Sequence, residues 1–125
     1  MPVKLLKARK PNEYIHIAGY KAELQDRSTA YMFFAIDNYS YFGIDAKVFE
    51  KDGFDSYVSF ISDLLQRKEL QDHISRSGKT TLVVDLSNKF TPKLQKTVAK
   101  NIKIICDKKL ARSVTNKLAK TILTA

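Results

Sequence analysis

The chain has 125 residues, 44% of them hydrophobic, with seven Phe and six Tyr, which is enough apolar material for one folded domain and too much for a disordered one. No apolar stretch approaches the ~18 residues needed to cross a bilayer, and the basic Met1–Lys10 has neither the apolar region nor the cleavage site of a secretion signal. The net charge is +9 and unevenly placed: residues 76–125 carry twelve basic residues against Asp85 and Asp107, an excess of +10, while residues 1–75 are nearly neutral. A clustered positive field suits a polyanion such as DNA, and equally a set of solvated helix faces.

Residues 1–13, ending at Pro11-Asn12-Glu13, read as a loose lead-in, and residues 14–125 as one domain. Tyr14 to Leu24 alternates weakly around Ile15 and Ile17 and predicts a strand, closed by the polar turn Gln25 to Ser28. Ala30 to Ile36 is a continuous apolar and aromatic run, the pattern of a strand buried on both faces. Asp37 to Ser40 is a second turn. Phe42 to Phe49 is a third strand, joined closely enough to the second to favour an antiparallel hairpin.

Asp52-Gly53 ends that strand, and Asp55 or Ser56 is the expected cap of a helix whose Tyr57, Val58, Phe60, Ile61, Leu64 and Leu65 follow helical spacing. A polar stretch around His73 to Lys79 leads to the β-branched strand Thr80 to Val84, which stops at Asp85. Thr91-Pro92 is expected to open a helix, with Thr91 as the cap and Lys93, Lys96 and Lys100 along one side. Ile102 to Cys106 is a last strand. Leu110 to Leu123 is a last helix with Ala111, Val114, Leu118 and Ile122 as its apolar stripe. Cys106 is the single cysteine, read as a core residue in a reducing compartment, so the expected localisation is cytoplasmic. Three strands followed by alternating helices and strands predict an α/β fold with a mixed sheet.

Four stretches in this order resemble the catalytic core of retroviral-type integrases and DDE transposases. Tyr31-Met-Phe-Phe-Ala-Ile-Asp-Asn-Tyr-Ser40 is similar to the second strand of those cores, an apolar run ending in Ile-Asp-Arg/Asn-Tyr-Ser-Arg. Asp85-Leu-Ser-Asn-Lys-Phe-Thr91 is similar to the family's Asp-Asn-Gly-Pro-Glu-Phe-Thr. Tyr14-Ile-His-Ile-Ala-Gly-Tyr-Lys21 is similar to Trp-His-Ile-Asp-x-Thr. Ser113-Val-Thr-Asn-Lys-Leu-Ala-Lys-Thr-Ile122 is similar to the helix Ser-x-x-Glu-x-x-Asn-Lys-Thr-Leu. The resemblance covers about residues 14–123 and implies a ribonuclease H-like fold, a mixed sheet of three antiparallel strands followed by alternating helices and strands.

It also implies polynucleotidyl transfer by two Mg²⁺ or Mn²⁺ ions held by two Asp and one Glu. Carried over position by position, the first Asp falls at Ala18, the second at Asp85 and the Glu at Asn116. One carboxylate of three remains, and Lys89 stands where the middle motif has Glu. Asp37 matches a family residue that holds a turn. Asp45 reads as a solvent-facing strand residue, and His16 and His73 have no ligand spacing. The expectation is therefore a degenerate core, related to DNA integration and transposition, that has lost its metal site, is not an enzyme, and keeps DNA binding through Lys89, Lys93, Lys96, Lys100, Arg112, Asn116 and Lys120. The alternatives are a protein-interaction or homodimerisation module, a remnant without selected activity, and, furthest from the residues, an active metal-dependent transferase with displaced ligands. No membrane partner is expected.

Overall fold

The computed structural model describes residues 7–123, with side chains described to residue 120. Three strands come first: β1 Tyr14–Glu23, β2 Thr29–Asp37 and β3 Gly43–Phe49. They are followed by α1 Phe54–Leu65, α2 Lys68–Ser77, β4 Thr80–Val84, a short 3-10 turn Asn88–Phe90, α3 Thr91–Gln95, β5 Ile102–Cys106 and α4 Lys108–Leu123. The sheet order is β3-β2-β1-β4-β5. β1–β2 and β2–β3 are antiparallel, whereas β1–β4 and β4–β5 are parallel. The result is a single five-stranded mixed sheet with four helices, the α/β organisation expected from the sequence.

β1 is the middle strand, and strand alternation sends its side chains to two different layers. Ile15 and Ile17 join Phe33, Ala35, Leu82 and Val84 against α1, with Leu70 of α2 and Leu94 of α3 in the same core. Phe33 is the hub of that layer: Tyr57 and Phe49 meet its ring edge-on at 4.8 and 5.1 Å. His16 and Ala18 project toward the opposite layer, where α4 packs through Leu110 and Ala111 on Val83. At 25 cal/mol per Å², fully burying a side chain such as Phe33 or Leu82 stabilises the fold by ~1.5–3 kcal/mol.

Several local expectations are corrected. Helix α1 starts at Phe54 with Gly53 as its N-cap and no side-chain cap; Asp55 instead sits in the first turn, where the helix dipole favours an acid, and Ser56 Oγ donates to Lys51 O at 2.7 Å. The polar stretch before β4 contains helix α2, which escapes the apolar pattern because Leu70 is its single buried residue. Gly78, at φ 75°, ends it in the left-handed conformation that glycine adopts without strain. Phe90, not Thr91, is the N-cap of α3, and the helix lasts five residues. It stops because the Gln95 side chain bonds Ile102 O at 2.6 Å and Ile104 N at 3.0 Å, tying the helix end to β5. Lys96 is thus the residue that ends α3, and Lys100 lies in the turn beyond, so Lys93, Lys96 and Lys100 do not share a helix face.

The buried side of α4 is Ala111, Thr115 and Ala119, small residues four apart that let the helix approach β1; Val114 and Leu118 are half-buried, and the Ile122 side chain lies outside the described residues. Asp45 is not solvent-facing. Its side chain is 14% exposed, with Oδ2 3.7 Å from Arg67 Nη1. The described part of the lead-in is tied down rather than loose: Ala8 is buried and donates its N–H to Asn38 Oδ1 at 2.8 Å, and Asn12 N–H donates to Asp37 Oδ1 at 3.0 Å. Met1 to Leu6 lie outside the described residues.

Candidate nucleic-acid interface around Asp85

Asp85 follows β4 directly, where its backbone N–H donates to Ile17 O of β1 at 3.0 Å. Its carboxylate is 1% exposed and fully engaged. The Tyr57 hydroxyl of α1 donates to Oδ1 at 2.6 Å. The Gly19 backbone N–H of β1 donates to Oδ2 at 3.2 Å, and Arg112 Nε of α4 donates to the same oxygen at 3.1 Å. A second Arg112 donor, Nη2, reaches Gly19 O at 3.0 Å, and the guanidinium carbon lies 4.7 Å from the Tyr20 ring centroid. Three elements, α1, β1 and α4, therefore converge on the carboxylate at the end of β4, and the cation that balances it belongs to the chain itself.

Burial pushes the Asp85 carboxyl above its ordinary value; the Tyr57 and Arg112 hydrogen bonds and the Arg112 charge pull it down without cancelling that effect. Burial, reinforced by the neighbouring carboxylate, drives the Tyr57 hydroxyl up, so it stays a proton donor. Tyr20 is also pushed up by burial.

The two other positions that the resemblance marks as acidic lie nearby. Ala18 is fully buried on β1, one residue before the glycine that contacts Asp85. Asn116 is exposed on α4, and its Oδ1 accepts from the Tyr20 hydroxyl at 2.7 Å; the same hydroxyl is 2.7 Å from Thr115 Oγ1. The donor set does not fit a pair of divalent cations. Ala18 offers no ligand atom, Asn116 offers a neutral carbonyl already bonded, and both Asp85 oxygens are occupied by donors, one of them cationic. Among the described residues no group of three or more His, Cys, Asp or Glu is gathered at one place.

A cleft of about 560 Å³ opens beside Asp85 between Tyr57, Ser87, Lys108 and Arg112. Phe54 and Phe90, which line it together with Asp52, stack with centroids 5.9 Å apart and planes at 23°. Lys93 Nζ lies 4.5 Å over the Phe54 ring and Lys89 Nζ 5.3 Å over the Phe90 ring. Arg112 lines the cleft and Lys89 and Lys93 contact its rings, whereas Asn116 lines a separate groove along α4, and Lys96 and Lys100 are exposed in the segment between α3 and β5. Lys120 is exposed on α4, two turns beyond Arg112. Arg112 is not the solvated phosphate ligand that its helix spacing suggests, because two of its donors are committed inside the protein.

Tyr57, Tyr20 and Gly19 were not singled out by sequence reasoning. Tyr57 falls on the apolar stripe of α1 and reads as core, which its ring is; only its hydroxyl turns to Asp85. Gly19 has a spatial signal alone: a Cβ there would stand 2.7 Å from Phe33 Cε1.

His16, the residue between Ile15 and Ile17, is a structural centre. Its Nδ1 lies 3.1 Å from both Leu110 O and Ala111 O, so it carries the proton, since carbonyls only accept. Nε2 accepts from Asn38 Nδ2 at 2.9 Å, and the Asn38 amide is oriented by the Ala8 N–H on its oxygen. Desolvation lowers the His16 pKa and keeps it neutral.

No protein-family model matches the chain, no curated protein matches its sequence and no solved structure matches its fold.

Proposed function

We propose that the chain is a degenerate integrase/transposase core with a ribonuclease H-like fold, which binds DNA through its basic C-terminal half and does not cut it. The observation that carries this reading is the Arg112–Asp85 pair. Its guanidinium lies 3.1 Å from the one acid that the resemblance leaves, and Ala18 and Asn116 stand where the resemblance has the other two. The strand order β3-β2-β1-β4-β5, with the first three strands antiparallel and β4 and β5 parallel to β1, supports the fold part of the reading.

Two divalent ions beside that guanidinium would meet like charge at short range, and of the two carboxylates lining the cleft, Asp52 and Asp85, the second already has both oxygens engaged by donors. A phosphate would meet Lys108 in the cleft and Lys89 and Lys93 on its Phe90 and Phe54 rings, three cations against the Asp52 carboxylate, and phosphate contacts from such residues are independent of sequence and sensitive to salt. The test is the anisotropy of a labelled DNA duplex across a salt series. The reading requires affinity that falls steeply and linearly on a log–log plot; a duplex that does not bind at low salt rejects it.

A further inference from the structure

A second groove, of about 820 Å³, lies on the other side of Arg112, between α4 and the β2–β3 turn. Its floor is apolar, with Ile36, Val114 and Leu118; its polar wall is Arg112, Ser113 and Asn116. Tyr41 forms the facing wall and is 70% exposed. Resting on the DNA-binding reading above, we infer that this groove takes a single strand of nucleic acid, with an unpaired base stacked on the Tyr41 ring and the backbone drawn along α4.

Three observations support this. First, the turn displays aromatic surface that folding leaves unburied: Tyr39 is 52% exposed and Phe42 72%, beside Tyr41.

Second, the turn is held rigidly. Tyr41 N donates to Asp37 O at 2.8 Å and Asp37 N to Phe42 O at 3.0 Å. Ser40 Oγ donates to Asp37 Oδ2 at 2.8 Å, and Phe42 N donates to Ser40 Oγ at 3.2 Å. Within that frame Tyr41 sits at φ 58°, a left-handed conformation that an L side chain with a bulky ring adopts at a cost. The fold thus fixes the backbone that carries the ring before any partner arrives, so stacking has to order only the side chain.

Third, the facing helix sets the sign of the partner. Of its basic residues, Arg112, whose Nη1 is left over from its internal bonds, and Lys117 line the groove; the helix also carries Lys108, Lys109 and Lys120 and no acid. A basic track beside an aromatic platform is the arrangement that holds unpaired nucleotides, because every base has a π-face and every link a phosphate. A duplex keeps its bases stacked on each other and cannot use the ring, so the groove separates single strands from duplexes where charge alone does not.

The experiment measures anisotropy at low salt for three labelled probes: an oligothymidylate of about 16 nucleotides, an abasic oligomer of the same length and a duplex. The wild-type chain is expected to bind oligothymidylate more tightly than the abasic strand by about tenfold, the scale of one aromatic–base stack. Tyr41→Ala removes that difference and leaves duplex binding unchanged, while Tyr41→Phe, which keeps the ring, preserves it. An oligouridylate arm with the same Tyr41 dependence extends the result to RNA. Equal binding of the oligothymidylate and abasic strands, or a preference that survives Tyr41→Ala, overturns the stacking site while leaving the DNA reading intact. Failure of all three probes to bind overturns both. Tyr41 is exposed, so its truncation leaves the core packed, and an unchanged melting temperature checks this.

Discussion

Arg112 Nε stands 3.1 Å from Asp85 Oδ2, across 27 residues of sequence, and the same guanidinium closes on Gly19 O and the Tyr20 ring. A buried carboxylate needs a cation or a proton, and here the last helix supplies the cation. Arg112→Ala leaves the Asp85 charge without its cation, with Tyr57 and Gly19 as its remaining donors. With Arg112 partly open to solvent, the expected loss is about 2–3 kcal/mol, below the ~3–5 kcal/mol for breaking a fully buried pair. Asp85→Asn should cost less, because an amide oxygen in the Oδ2 place still accepts from Gly19 and Arg112, the amide nitrogen can donate to the Tyr57 hydroxyl oxygen, and no buried charge is left to balance. Urea denaturation of both variants checks the order; equal, negligible losses would show that the pair does not hold α4 to the sheet.

Gly19 is required by space. A Cβ at that position would stand 2.7 Å from Phe33 Cε1, and Phe33 is wedged among Phe49, Tyr57 and Phe60. Gly19→Ala should destabilise by about 1–3 kcal/mol through forced repacking. A paired Phe33→Leu substitution should recover part of the Gly19→Ala loss relative to the sum of the single changes. Strict additivity in denaturation midpoints would refute this coupling.

The His16 network predicts a direction with pH. The folded pKa lies below the ordinary value, so the unfolded chain binds the extra proton first. This contribution to stability is complete above about pH 6.5 and is lost as pH falls through that value toward the folded one. Protonating Nε2 would set an N–H against the Asn38 amide donor, which Ala8 holds in place. Asp85, whose pKa is raised, contributes the opposite slope in the range above the ordinary carboxylate value, so the imidazole should be read directly. NMR of the His16 ring should show the Nδ1–H neutral form persisting below pH ~6.5. A ring that charges above that value would contradict the network.

Lys89 and Lys93 rest on the Phe90 and Phe54 rings that line the cleft, which places them to meet a phosphate bound there. Replacing both with Gln should weaken duplex binding for every sequence and reduce the slope of log K against log salt by about two. Lys47→Gln is the control, since Lys47 is paired with Asp63 on α1. An unchanged slope in the double variant would move the interface elsewhere.

Much of the sheet was legible because its strands are written as apolar runs: Thr80 to Val84 and Ile102 to Cys106 have the ends that the sequence predicts. α2 was hidden because Leu70 alone is buried in it, and the length of α3 is set by Gln95 bonds to a strand formed later in the chain. Asp85 stood out as an acid closing a buried strand. The partners that give it meaning did not, because Tyr57 reads as core and Arg112 as a solvated helix cation until the fold brings both onto the carboxylate. Contacts across tens of residues leave no local pattern.

The central claim is that Asp85 is held by Arg112 in a site that binds DNA without cutting it. Incubation of the protein with supercoiled plasmid and Mn²⁺, beside Asp85→Asn, tests it most directly. The account predicts salt-sensitive retention of the plasmid by both proteins and no nicking by either. Manganese-dependent nicking by the wild-type chain that disappears in Asp85→Asn would contradict it.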